Sequence, residues 1–300
     1  MWRCRTAARV PRERALTVPP LPDDLAVRLC VLVAVLALAT LYTRGWRTLR
    51  QRGRGDLPPG WHLLSYLTGL GTIAIALTSP LDDLADTWFS AHMVQHLLLT
   101  MMAAPLLLLG NPLPVCLWGL PRRARHAVGR PFMRQARVRR VLEVLTRLPV
   151  AWANYVVVLW IWHVPLLYEA ALEHQVFHIL EHIMFFGSAL IFWWPIIRPA
   201  PRLHPQVHPG FEIFYLVAAT AQNTALGAFL SLQEHAIYPH YAHLPRASGV
   251  DAVSDQVAAG GLMWINGHMY LLPILVLLWR FARQPDEPEP KATLPAEETT

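Results

Sequence analysis

Residues 176–197 read VFHILEHIMFFGSALIFWWPII, and this stretch decides the fold class. It contains a single acidic side chain and neither lysine nor arginine. At about 1.5 Å per residue, an α-helix of this length crosses the roughly 30 Å hydrocarbon core of a membrane. The sequence therefore predicts that residues 176–197 form a transmembrane helix.

Further apolar runs of the same spanning length lie on both sides of this stretch, which predicts an all-α integral membrane protein. The expected architecture is a bundle of about seven transmembrane helices over residues 25–280. Several runs contain histidine or proline, and we expect those residues to face the interior of the bundle. The predicted spans are Leu25–Tyr42, Trp61–Ser79, Ala91–Gly110, Trp152–Ala171, Val176–Ile197, Phe211–Leu232 and Val257–Trp279.

Composition argues against nucleic-acid binding and against cysteine-based disulfide or metal chemistry. A net charge of +6 is compatible with nucleic-acid binding, but the arginines flank apolar runs instead of forming one basic surface. We therefore expect no nucleic-acid partner. The three cysteines lie far apart in the chain, so they predict neither a disulfide framework nor a thiolate metal site; they are Cys4, Cys30 and Cys116.

The distribution of arginine predicts how the bundle is oriented. Short connections rich in Lys and Arg favour the cytoplasmic side of a membrane. The 44–60 and 112–150 connections are rich in arginine, whereas the 80–90 and 170–175 connections contain none. This pattern predicts an outside N-terminus and a cytoplasmic C-terminus.

Both ends of the chain are predicted to be tails. Residues 1–24 are rich in Arg and Pro, and their charge conflicts with an outside N-terminus. Either the natural start lies further downstream or the first span has the opposite orientation. Residues 281–300 are rich in Pro and Glu, which predicts a disordered C-terminal tail.

Histidines recur at one depth near the predicted outer ends of three spans. His92 and His96 are four residues apart on span three, and His178 and His182 repeat this spacing on span five. Such a spacing places two imidazoles on one helix face, about 6 Å apart. His163 on span four is expected at the same level. Imidazoles from neighbouring helices can share one transition-metal ion, so these residues predict a metal site.

Polar side chains near this level could complete the site. Glu181 adjoins His182, and Asp255 and Gln256 open the seventh span at its outer end. They could supply another ligand, or an acceptor for the second ring nitrogen of a ligating histidine.

Six short strings follow one another along the spans: His92-Met-Val-Gln-His96, Pro105-Leu-Leu-Leu-Leu-Gly110-Asn-Pro112, Trp162-His163-Val-Pro165, Glu181-His182, Phe192-Trp193-Trp194-Pro195 and Asp255-Gln256. In these strings the chain resembles the multi-span bacterial CtaG-type cytochrome c oxidase assembly factors, from about Trp61 to Trp279. The resemblance implies a seven-helix protein of the bacterial plasma membrane, needed to form active haem–copper oxidase and without catalytic turnover. Its implied partners are cytochrome c oxidase subunits, copper and membrane lipid.

The positions that match the family pattern give a predicted site. They are His92, His96, His163, His178, His182 and Asp255. Copper binding by these residues is an inference that combines the spacing of the histidines with the role of the family. The predicted function is an assembly factor that binds or delivers copper near the outer membrane surface.

Other functions stay open from the residues alone. Paired histidines with a nearby carboxylate also suit a zinc-dependent intramembrane hydrolase, with Glu181 or Asp255 as general base. Histidines from two helices could instead be the axial ligands of a b-type haem. A copper permease is disfavoured, because spans three to five are nearly all apolar below the histidines.

Overall fold

The computed structural model of the chain describes residues 23–53, 58–133, 136–244 and 249–283, and these residues form helices and connecting loops. A π-helical segment, Leu98–Ala103, joins the α-helices Phe89–Leu97 and Ala104–Leu109. In chain order, the α-helices of the described part are Asp23–Arg52 (α1), Gly60–Thr78 (α2), Pro80–Ala85 (α3), Phe89–Leu97 (α4), Ala104–Leu109 (α5), Pro112–Gly119 (α6), Arg122–Gly129 (α7), Arg137–Leu145 (α8), Leu148–Trp162 (α9), Pro165–Glu173 (α10), Gln175–Ile197 (α11), Pro209–Ser231 (α12), Pro239–His243 (α13), Ala252–Met269 (α14) and Leu271–Ala282 (α15).

Six helices or helical runs are long and apolar enough to cross a membrane, or seven if α8 and α9 form one span with a bend of 75°. The predicted all-helical membrane fold is thereby confirmed at six to seven spans. The orientation of the bundle stays a prediction. Both predicted tails, residues 1–24 and 281–300, lie almost wholly outside the described residues. The six spans are Leu25–Arg52, Gly60–Thr78, Phe89–Leu109, Gln175–Ile197, Pro209–Ser231 and Ala252–Trp279.

The fourth span is the one that differs most from its prediction. Instead of one helix over Trp152–Ala171, α9 ends at Trp162 and α10 begins at Pro165. Proline has no backbone N–H and disfavours a helical conformation in the residue before it, and Val164 accordingly adopts an extended conformation. His163 is therefore the residue directly after the last residue of α9, not a residue in the middle of a helix.

The third span contains the π-helical segment just before Pro105. A wider turn accommodates a proline, whose missing N–H leaves an upstream carbonyl without its usual partner. The side chain of Trp193 donates a hydrogen bond to the carbonyl of Thr100 (3.0 Å), and the Thr100 hydroxyl donates to the carbonyl of His96 (2.8 Å). These contacts fix the backbone of the span directly below His96.

Helices α12 and α14 approach closely at two glycines. A Cβ on Gly260 would lie 2.5 Å from the carbonyl oxygen of Gly227, so no larger residue fits without moving the helices apart. Small residues allow this kind of close packing in membrane bundles. The contact holds the first turn of α14, which carries Asp255, against the rest of the bundle.

Apolar side chains cover the outside of the bundle as well as its core. Buried aromatic residues such as Trp162, Phe192 and Tyr215 pack between the spans. Leu64 and Phe214 are among the many large apolar side chains on the perimeter, with 69% and 72% of their surface exposed. An apolar perimeter is what a protein surrounded by hydrocarbon presents.

Candidate metal centre

Asp255 fixes the beginning of α4, the helix that carries two of the predicted ligands. Its carboxylate oxygens accept hydrogen bonds from the backbone N–H groups of Phe89 (2.8 Å) and Ser90 (3.2 Å). These are the first two residues of α4, whose N–H groups have no acceptor within the helix, and a carboxylate there also stabilises the helix dipole. Asp255 thus contacts the backbone of α4, and it belongs to neither of the ligand sets described below.

Four imidazoles from α4 and α11 form a compact histidine cluster: His92, His96, His178 and His182. On each helix the two ring centroids are 4.4 Å apart. Between the helices, the centroid distances are 5.3 Å for His96 and His182 and for His92 and His178, and 6.1 Å for His92 and His182. The two pairs predicted from their spacing therefore face each other across one interface.

Two overlapping sets of potential ligand atoms occur in and beside this cluster. One set joins His92, His96 and His182, the other joins His92, His178 and Glu181, and within each set the atoms lie within 4.8 Å of one another. The Nε2 atoms of His92 and His96 are only 3.0 Å apart. At this distance at most one proton fits between the two nitrogens, so a lone pair already points into the cluster.

Glu181 is a buried carboxylate beside these nitrogens. None of its surface is exposed, and among the described residues neither of its oxygens has a hydrogen-bond partner. The oxygens lie 3.6 Å from Nε2 of His92 and 3.8 Å from Nε2 of His96. A buried carboxylate is costly unless a cation compensates it. The sequence suggests Glu181 as another ligand or as an acceptor for a ligating histidine, and the structure brings its carboxylate into one of the two ligand sets.

Tyr241, from the loop over the cluster, determines which nitrogen of His92 carries the proton. The Tyr241 hydroxyl donates to the carbonyl of Ala85 (3.0 Å), and its oxygen lies 3.3 Å from Nδ1 of His92. Burial raises the pKa of the Tyr241 phenol well above its ordinary range, so the hydroxyl stays neutral. Since its one proton is directed at Ala85, the ring of His92 donates from Nδ1 and presents the lone pair of Nε2 to the cluster.

His163 has the same tautomer but a different position. Its Nδ1 donates to the carbonyl of Leu159 (2.7 Å), which leaves Nε2 with the lone pair, and that Nε2 is buried without a partner among the described residues. His163 lines a small cavity together with His96, Thr100 and Asn266. It belongs to neither ligand set.

Aromatic side chains close one side of the histidine cluster. Tyr168 stacks obliquely on Tyr238, and Phe89 contacts Tyr168, Tyr238 and Tyr241 edge-on or stacked. The sequence prediction missed these residues. The one available signal was the spacing of Tyr238 and Tyr241 by three residues in an otherwise polar connection, and it does not reveal that this connection folds over the cluster.

A groove between α1 and α11 leads to the histidine cluster, at the end of the bundle where α11 begins. We call it the access groove; it is lined by Arg28, Asp82, Asp83, Asp86, His178 and His182, with apolar residues of both helices. Arg28 forms ion pairs with Asp82 and Asp83 at its mouth. The hydrogen bond from Arg28 lowers the pKa of the Asp83 carboxyl, so this residue stays ionised. The groove therefore joins acidic side chains at the surface to imidazoles at its floor.

Fold and site together define a class: a multi-span helical membrane protein with a possible buried transition-metal site made of histidines. The sequence of residues 40–284 matches the family model of the cytochrome c oxidase caa3 assembly factor. Because this match covers most of the chain, the protein belongs to that family, as the resemblance in its sequence strings predicts.

The chain is also similar to three uncharacterized proteins of mycobacteria. It is 27% identical to proteins of Mycobacterium bovis and Mycobacterium tuberculosis over 84% of its length, and 26% identical to one of Mycobacterium leprae over 83%. The aligned region is 38% of each mycobacterial protein, so the chain spans well under half of their length. No solved structure shows significant similarity to the chain.

Proposed function

We propose that the histidine cluster binds a copper ion and that the protein supports assembly of a caa3-type cytochrome c oxidase by holding or delivering this ion. The observation that carries the proposal is the convergence of His92, His96 and His182 beside the buried carboxylate of Glu181. Imidazole nitrogens bind copper well. The copper ion is cargo in this proposal, and the family role connects it to the oxidase.

The charges of the site support a cationic cargo. The low dielectric of a membrane bundle makes an isolated charge costly, and opposite charges in contact reduce that cost. Glu181 provides one negative charge within 3.8 Å of two imidazole nitrogens. A bound Cu(I) ion would neutralise it, and Cu(II) would leave one net positive charge.

The two ligand sets suggest a short transfer path. His178 and His182 line the access groove, whereas His96 lines the small cavity that it shares with His163. His92 belongs to both sets. An ion that enters from the groove would contact His178 and His182 first, because both line it. Each ligand set contains His92 and one of these two histidines, so the ion could pass from the set with His178 and Glu181 to the set with His182 and His96 while it stays bound to His92.

Metal content of the purified protein tests this proposal. The protein in detergent is loaded with copper, passed through a desalting column and measured by mass spectrometry. We expect about one copper per chain in the wild type, and a loss of most of it in His92→Ala, because His92 belongs to both ligand sets. His174→Ala is the matched control, since His174 is exposed at the same end of α11 and lies outside both sets. Equal copper in His92→Ala and the wild type would contradict the proposal.

The role in assembly needs a measurement on the oxidase itself. Cells that carry His92→Ala in place of the wild type should produce caa3 oxidase with less copper and lower activity. The His174→Ala strain should produce normal oxidase. Normal oxidase in both strains would separate copper binding from the assembly role and refute delivery by this site.

One alternative keeps some support from the site. Glu181 lies beside the histidines without a hydrogen-bond partner among the described residues, as the general base of a zinc hydrolase would. Zinc at one ion per chain after expression without added metal would favour that alternative. A b-type haem fits less well, because the rings contact one another at 4.4–6.1 Å and a macrocycle would have to separate them.

A further inference from the structure

A second cavity, whose lining includes several basic side chains, lies at the opposite end of α11 from the histidine cluster. We call it the basal pocket; the residues that matter are Thr146, Arg147, Trp194, Arg198, Arg202 and His204. Sixteen residues separate His182 from Arg198 on α11, which is about 24 Å along the helix axis. The basal pocket is therefore independent of the candidate metal centre.

The charge of the basal pocket is positive and only partly compensated. Arg198 forms an ion pair with the buried carboxylate of Glu212. In the described part of the chain, no hydrogen bond or ion pair engages the guanidinium groups of Arg147 and Arg202, which are exposed at the rim. Burial lowers the pKa of His204, so the two guanidinium groups supply the uncompensated charge.

Uncharged donors lie in or beside the lining of the same pocket. Arg147 is the residue before α9, and no side chain caps this 15-residue helix, so the N–H groups of Leu148 and Val150 lie at its open positive end. Trp194 lines the pocket, and its Nε1–H is buried without an acceptor among the described residues. Guanidinium groups, helix N–H groups and an indole N–H together form the donor set that a phosphate recognises.

An apolar groove continues from the basal pocket towards the middle of the bundle. The groove shares Leu148 and Pro149 with the pocket and runs between α9 and α12 past Trp152, Phe214 and Ala218. Its lining is almost wholly apolar, and Phe214 is 72% exposed. From Phe211 to Ala218 it covers two turns of α12, about 10 Å, along the face that hydrocarbon chains contact.

We propose that the basal pocket binds the phosphate of an anionic phospholipid and that the apolar groove holds one of its acyl chains. A phosphate alone would use the donors of the pocket but leave the groove empty, whereas a phospholipid uses both. The distribution of arginine predicts that this site lies in the cytoplasmic leaflet, where anionic headgroups attract juxtamembrane arginines. The bound lipid would connect the beginning of α9 with the ends of α11 and α12.

Native mass spectrometry of the full chain released from detergent tests this site. Phosphatidylglycerol, phosphatidylcholine and inorganic phosphate are titrated separately, and the bound fraction is measured. We expect phosphatidylglycerol to bind at least tenfold more tightly than phosphatidylcholine. The double variant Arg147→Gln/Arg202→Gln should weaken phosphatidylglycerol binding about thirtyfold, from the contribution of two surface charges.

The matched control removes two charges elsewhere in the arginine-rich connections. Arg122 and Arg123 are exposed on α7 and lie outside the pocket, so Arg122→Gln/Arg123→Gln should bind phosphatidylglycerol as the wild type does. Equal losses in both double variants would show nonspecific attraction and overturn the proposal.

A third variant distinguishes the lipid from a free phosphate. Ala218→Trp fills the apolar groove and should weaken phosphatidylglycerol binding while inorganic phosphate binding is unchanged. Phosphate that binds as tightly as phosphatidylglycerol, with no effect of Ala218→Trp, would overturn the lipid assignment. Because the pocket is about 24 Å from the histidines, copper content should be normal in all three variants.

Discussion

Tyr241→Phe tests how the loop over the histidine cluster prepares His92 for a metal. The substitution removes one oxygen atom, the acceptor 3.3 Å from Nδ1 of His92, and keeps the ring that packs on Phe89. Without a metal, His92 can move its proton to Nε2 and donate to Nε2 of His96, 3.0 Å away. The folded protein without metal should therefore lose little stability from the change at His92.

Metal binding should be affected much more strongly than stability. A bound ion requires the lone pair of Nε2, so the proton must stay on Nδ1, which has no acceptor in the variant. A buried donor without an acceptor costs about 1–3 kcal/mol. Loss of a hydrogen-bond acceptor for the second ring nitrogen of a ligating histidine typically lowers metal affinity 10–100-fold, which agrees with that cost. We expect the copper affinity of Tyr241→Phe to fall by this factor.

The assay is a competition titration of the detergent-solubilised protein against a chromophoric Cu(I) chelator. Tyr238→Phe is the matched control, since Tyr238 is equally buried in the same loop but donates its hydroxyl proton to the carbonyl of His163. This control should bind copper as tightly as the wild type. Wild-type affinity in Tyr241→Phe would refute the assignment of the His92 tautomer, and equal losses in both variants would indicate a general loosening of the loop.

Three further predictions concern the same site. Glu181→Gln should lower copper affinity at least tenfold without lowering the thermal stability of the metal-free protein. The substitution removes a buried charge that lacks a hydrogen-bond partner among the described residues, and differential scanning fluorimetry with and without copper measures both effects. Asp255→Asn should lower the free energy of unfolding by about 1–3 kcal/mol, because the charged acceptor of two N–H groups at the start of α4 is lost. Chemical denaturation followed by circular dichroism measures this free energy. Copper binding at pH 7 should release close to no proton, because the neutral ring of His96 can move its proton from Nε2 to Nδ1 and present the Nε2 lone pair to the ion; titration in weakly buffered solution measures it, and release of about one proton per ion would contradict two neutral imidazoles as ligands.

Sequence patterns could predict the features of this protein that depend on local periodicity. The apolar runs predicted the membrane fold, and most ends of the predicted spans lie within a few residues of the corresponding ends in the structure. The spacing of His92 and His96, repeated by His178 and His182, predicted two imidazole pairs. Helix geometry alone makes these predictions possible, because residues four apart share one face.

Features that depend on contacts between distant segments could not be predicted in this way. Asp255 lies 165 residues beyond Ser90, and only the packing of α14 on α4 brings its carboxylate to that helix end. Tyr241 reaches His92 because a polar connection folds back over the bundle. The break after α9 has a local signal in Pro165, because proline disfavours a helical conformation in the residue before it.

X-ray absorption spectroscopy at the copper edge of the copper-loaded protein tests the central claim most directly. The account predicts that nitrogen or oxygen scatterers surround the ion, with the multiple scattering that is characteristic of imidazole rings, and that this imidazole signal is lost in His92→Ala. A spectrum dominated by sulfur scatterers, or one that is unchanged in His92→Ala, would show that copper is bound elsewhere and contradict the account.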